Sequence, residues 1–193
     1  MKPLRPKVEE VLVIWSYAGK RNDLMESKRG RREETAVGSS STDPNVTPLE
    51  VGLEAFYPFT GNANDTSGNG RDGTAHGPAL VTDRHGSASS SYDFNGSGDY
   101  VSVPVGSGID TNATDFSVSV WVYPRSTAGV FVEQGSGGSP NGRTVLLANS
   151  GNLHTSISSA GLAGSALTLN QWNHVVLTYD LNGSSAQLSL YHN

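Results

Sequence analysis

Residues 116–123 read FSVSVWVY, and their alternation decides the fold. Phe116, Val118, Val120 and Val122 fall on one side of an extended chain, and Ser117, Ser119, Trp121 and Tyr123 on the other. Side chains of a strand point to alternate faces, so this pattern predicts a strand with one buried face. WNHVVLTYD, Trp172–Asp180, behaves likewise, with Val175, Leu177 and Tyr179 alternating after Trp172. Further strands are predicted at Leu53–Phe59, Ser91–Phe94, Tyr100–Val103, Val130–Gln134, Thr144–Ala148, Leu153–Ser158 and Ala186–Tyr191. Asn-Gly pairs at Asn69, Asn95, Asn141 and Asn182 mark reversals, because both residues tolerate positive φ. No amphipathic helical pattern follows Val51. Many short strands joined by tight turns predict an all-β, two-sheet antiparallel sandwich of jelly-roll type.

Composition narrows the function. The chain has 193 residues, no cysteine and a net charge of -5. Disulfides and thiolate metal sites are excluded, and bulk electrostatics argue against a nucleic-acid partner. No apolar run approaches the roughly 18 residues needed to cross a bilayer. VLVIW, Val11–Trp15, follows Lys2, Arg5 and Lys7, but it is short and Glu9 and Glu10 precede it, so no clear signal peptide is present.

Every lysine lies before Val51; beyond it the only cations are Arg71, Arg84, Arg125 and Arg143. This shift divides the chain into a disordered or weakly structured extension and linker, 1–48, and a domain, 49–193. Val8–Tyr17 reads as a short strand or helical turn. Lys20–Glu34 is a mixed-charge run in which KRGRR has the look of a nucleic-acid patch, but Glu26, Glu33 and Glu34 interleave, as in a solvated tail.

The motifs carry little catalytic chemistry. GNGRDG supplies a G-x-G-x-x-G at Gly68, Gly70 and Gly73, but TAHGPA follows where a dinucleotide site needs a helix. The same loop fails the EF-hand pattern, with Ser67 sixth and Gly73 twelfth from Asn62. Asp65, among Asn64, Thr66, Ser67 and Asn69, suits either another calcium site or side-chain-to-backbone turns. Glycosidase chemistry needs paired carboxylates, whereas Glu54 and Glu133 are the only glutamates after Val51 and sit on different predicted strands. GSGGS at Gly135–Ser139 lacks a nucleophile elbow, and the five histidines show no metal-ligand spacing. Trp121 and Trp172 suit a sugar-stacking platform or ordinary packing. Five N-x-[ST] sequons, at Asn45, Asn64, Asn95, Asn112 and Asn182, are a weak signal in so polar a chain.

GLEAFYPFTGNANDTSGNGRDGTAHGPAL (Gly52–Leu80), YDFNGSGDYVSVP (Tyr92–Pro104), DFSVSVWVYP (Asp115–Pro124) and QWNHVVLTYD (Gln171–Asp180) occur in this order. Together, over Leu49–Asn193, they resemble the laminin-G-like subgroup of the concanavalin A-like lectin/glucanase superfamily. The resemblance implies a concanavalin A-like jelly roll. It also implies a non-catalytic module of a larger secreted or cell-surface protein, binding carbohydrate or an extracellular protein. A structural spacer and a glucanase-like or enzyme-accessory domain are the alternatives. By the same resemblance Asp65 is a calcium ligand, with Asn64 and Asn69 as weaker candidates. In the family more strands follow QLSLYHN and the last pairs near the first, so the chain reads as C-terminally truncated, with an exposed sheet edge that favours oligomers.

Overall fold

A computed structural model describes residues 7–15, 53–103, 116–134, 143–157, 160–182 and 185–193. Among them there is no helix, and the strands are β1 (Lys7–Trp15), β2 (Leu53–Tyr57), β3 (Thr74–His76), β4 (Ala79–Val81), β5 (Ser91–Asp93), β6 (Tyr100–Ser102), β7 (Phe116–Tyr123), β8 (Gly129–Gln134), β9 (Arg143–Asn149), β10 (Asn152–Ile157), β11 (Ala160–Ala166), β12 (Asn173–Asn182) and β13 (Ser185–His192). Seven form one sheet in the order β13-β12-β7-β1-β5-β4, with β2 also on β1. A second sheet runs β11-β10-β9-β8, and β3 with β6 makes a separate ribbon. All pairings are antiparallel.

Alternation produces the sandwich. β7 shows a strict buried, half-buried alternation that turns Phe116, Val118, Val120 and Val122 inward. β12 adds Val175, Leu177 and Tyr179, and these meet Leu146, Ala148, Leu153 and Ile157 of the second sheet in one core cluster. Each such aliphatic side chain taken from water contributes about 1.5–3 kcal/mol, and the two inner faces are the only place it can go. β12 and β13 form a hairpin closing at Asn182–Ser185, as the Asn182-Gly183 signal predicts; the turn residues themselves lie outside the described set.

The N-terminal boundary needs correction at one place. β1 belongs to the domain, in the larger sheet: it pairs with β7 from Lys7 to Trp15, and its other edge is shared by β5 at Lys7–Val8 and β2 at Val11–Ile14. A register shift between Glu9 and Val11 explains why the sequence leaves Val8–Tyr17 open between a short strand and a helical turn. The bulge absorbs one residue, so Val8 and Val11, three apart, both stand opposite buried partners, Val122 and Val120. The rest of 1–48, including the charged run, lies outside the described residues. Where the resemblance implies a late strand near the first, the strand beside β2 is β1.

β11, AGLAGSA, is missed by the pattern, as are the three-residue strands β3 and β4. Small residues carry little strand propensity, yet here smallness is what fits. A Cβ on Gly164 would come 3.2 Å from Leu190 Cδ1, so glycine lets β11 approach β13 across the sandwich.

Candidate functional site

Three outward-facing regions carry the candidate residues. The first is the loop from Gly61 to Gly73, between β2 and β3. Asp65 is its hub: Oδ1 accepts from the Phe56 and Ser67 amides, both at 2.9 Å, and Oδ2 from Ser67 Oγ at 2.8 Å and the Arg71 amide at 3.0 Å. Its own amide donates to Asp72 Oδ1 at 2.9 Å. Burial pushes the Asp65 carboxyl up, but the hydrogen bonds from Phe56, Ser67 and Arg71 outweigh it and hold the group below the usual carboxylate range.

The remaining loop groups tie to β2. Asn69 Nδ2 donates to the Leu53 and Glu54 carbonyls at 2.8 and 3.1 Å, and Arg71 bonds the Glu54 carbonyl and, at 2.6 Å, its carboxylate. Asn64 closes an Asx turn, its amide 2.8 Å from Asn62 Oδ1. Tyr57 donates its hydroxyl to Arg71 O at 2.8 Å; burial first, and then the nearby Asp65 charge, push its pKa up to about 12. The glycines of the G-x-G-x-x-G serve this architecture. Gly68 and Gly70 turn the chain at φ of +91° and +68°. A Cβ on Gly73 would come 2.9 Å from both Ala63 O and Val101 Cγ1, so the loop closes onto β6 only with glycine there.

Asp65, Asn64 and Asn69 are thus brought into one loop, where hydrogen bonds within the chain engage the Asp65 carboxylate, the Asn64 amide and the Asn69 side chain. A carboxylate offers about four acceptor positions, and Asp65 fills all four with N–H and O–H hydrogens. Calcium would require those oxygens, and Asn69 turns its amide nitrogen to the strand carbonyls that could otherwise join them. Among the described residues no three His, Asp or Glu side chains converge as a metal group.

The second region is the outward side of β7 and β12. Trp121 and His174 are direct cross-strand partners, their rings stacked at 4.8 Å and 21°. Ser119 Oγ lies 2.8 Å from His174 Nε2, and the Arg84 guanidinium sits over the Trp121 ring at 4.4 Å. Tyr123, two residues along, meets Trp172 edge to face at 5.5 Å. All four rings are half-buried, so each keeps surface in water. Alternation alone places them together: the even positions of β7 fill the core and the odd ones are displaced outward.

The third region is the ribbon. His76 and Tyr100 are register partners stacked at 4.4 Å and 16°, with Tyr100 52 % exposed and His76 Nε2 3.0 Å from Ser102 Oγ. Pattern reading finds the strand at Tyr100 but not its three-residue partner β3, so it does not bring His76 to Tyr100.

Glu54 and Glu133 stand on different sheets, β2 in the larger and β8 in the smaller, and Glu54 is held by Arg71.

The Laminin_G_3 family model, described as Concanavalin A-like lectin/glucanases superfamily, matches residues 95–193. The chain belongs to this laminin-G-like family. No curated protein and no solved structure matches it. In this laminin-G-like domain the matched segment carries β6 to β13, and therefore Trp121, Tyr123, Trp172 and His174. It begins after the Asp65 loop, so the family match does not reach the three residues to which calcium was carried by resemblance. In general, the family's domains are carbohydrate- or protein-binding modules. Among the described residues no helix is long and apolar enough to cross a membrane.

Proposed function

We propose that this laminin-G-like domain is a non-catalytic, extracellular recognition module that binds carbohydrate through the outward side of β7 and β12. The observation that carries the proposal is the ring band itself. Trp121, His174, Tyr123 and Trp172 form two contacting pairs on adjacent strands, partly open to water and fringed by Ser117, Ser119 and Thr178. Aromatic faces stack on the apolar faces of sugar rings, and neighbouring hydroxyls add direction. Family membership supports a binding role, and the separation of Glu54 from Glu133 supports one without hydrolysis. The Asp65 loop then acts as scaffold and needs no calcium.

The test is an array of neutral and acidic oligosaccharides probed with the whole chain, followed by Trp172→Ala and Tyr123→Ala. Reproducible binding that falls at least about tenfold in both variants, with folding unchanged, supports the reading. One observation favours a second reading, a structural spacer: Trp121 already has His174 and Arg84 against its ring. An array without binding would favour the spacer. Cleavage of any β-glucan would overturn both readings.

A further inference from the structure

The most unusual feature of the sheet is the origin of its inner strand. β1 separates β7 from β2 and β5, and without it both edges lose their ladder partners. Yet the chain does not reach β1 through a hairpin. Ile14 pairs directly with Leu53, so two neighbouring strands are joined in sequence by the 37 residues 16–52. Neighbouring antiparallel strands are ordinarily joined by about 2–5 residues. A link of this length reaches at most about 120–130 Å at roughly 3.3–3.6 Å per residue. That is several times the radius of gyration of about 16 Å expected for a domain of this size.

We propose that Lys7–Trp15 is an exchangeable strand, and that the slot it fills also accepts the same strand from a second copy of this chain. The slot is keyed to this sequence. Val8, Val11 and Val13 stand opposite Val122, Val120 and Val118, and only a bulge at Glu10 lets the V-E-E-V spacing hold that register. Lys7 stands opposite Asp93 on one side and Tyr123 on the other. An unrelated extended peptide would match neither the bulge nor the valines. Tethering gives the chain's own strand an effective concentration on the order of millimolar, so it wins in dilute solution. Exchange becomes competitive when copies are held close, as on a surface or in an array. The inference is independent of the ligand proposed above.

The chain has no cysteine, which makes the test clean. Ile14 and Ser117 are register partners, and antiparallel partners lie about 4.5–5.5 Å apart, within disulfide range. Full chains carrying both Ile14→Cys and Ser117→Cys should form an intrachain disulfide. Chains carrying one each, mixed and oxidised, should give an interchain product between positions 14 and 117. That product should rise at least about tenfold between 1 µM and 1 mM, roughly as mass action requires, and rise again after unfolding and refolding together. The control partner is Thr168→Cys, exposed and outside the strands that pair with β1. An interchain product no greater than with the control would overturn the exchange, and failure of the double variant to close would overturn the strand's place.

Discussion

The loop of Asp65 and the outward side of β7 and β12 use polar and aromatic residues in opposite ways. In the loop, oxygen-rich residues turn on one another until Asp65 has four donors and Asn69 and Arg71 are bound to β2. On the sheet, Trp121, Tyr123, Trp172 and His174 are held by register but keep half-exposed rings. Richness in oxygen therefore marks a self-satisfied scaffold, and the displaced strand residues offer the contact surface.

The largest expected effect is on the loop. Asp65→Ala leaves the Phe56, Ser67 and Arg71 amides without their carboxylate, which costs about 3 kcal/mol by the usual penalty for stranded donors to a charged group. At about 2–4 °C per kcal/mol for a domain of this size, the melting temperature should fall by about 6–12 °C in circular dichroism. Adding calcium chloride should leave the wild-type transition where it is. A rise that Asp65→Ala abolishes would make Asp65 a metal ligand and erase the contrast.

The sheet face should respond the other way. Trp172→Ala should weaken binding of any glycan found on the array by about 10- to 30-fold, or about 1.4–2 kcal/mol, while the melting temperature moves by less than about 3 °C. Asp65→Ala, measured below its own transition, should change that affinity less than about twofold. If both variants move both readouts, the two regions are one site.

Acidification separates the Asp65 loop from a further place, where β13 meets β11 and β12, through stability alone. Burial holds the His192 imidazole below the usual histidine range, between Ser165 Oγ at 2.9 Å and Asn173 Oδ1 at 2.8 Å. A base whose folded pKa is depressed binds fewer protons folded than unfolded. Its stability contribution is complete above the ordinary histidine value of about 6.5 and is lost as pH falls through the folded pKa. Asp65 is also depressed, so its contribution is complete above the ordinary aspartate value and is lost only in stronger acid. Chemical denaturation should show two declines, the milder one removed by His192→Gln and the acid one by Asp65→Asn. A single decline untouched by His192→Gln would remove the histidine from the account.

Much of this was legible in the chain. The alternation of β7 and β12 states which residues are buried, and with it the sandwich and the outward position of Trp121. β1 was not legible as a member, because its bulge breaks the period that identifies strands. Nor was β11, whose Gly164 packs closely against Leu190, a contact 26 residues along the chain. For the loop, the residues themselves name a cluster around Asp65 and two chemistries for it. The directions of the N–H groups add what composition does not carry, the hydrogen bonds that the Asp65 carboxylate accepts.

The smallest expected effect carries the same rule into the core. Thr155 on β10 is 2 % exposed, and its Oγ1 has no hydrogen-bond partner among the described residues. It is the reverse of Asp65: a buried oxygen without donors in place of one with four. Valine keeps the branched shape and the strand preference while removing the hydroxyl, so Thr155→Val should leave packing intact and relieve a desolvation penalty of about 1 kcal/mol. The melting temperature should rise by about 2–4 °C. A fall would mean that the hydroxyl has a donor or acceptor in solution, a bound water included, and that this part of the core follows the rule of the loop.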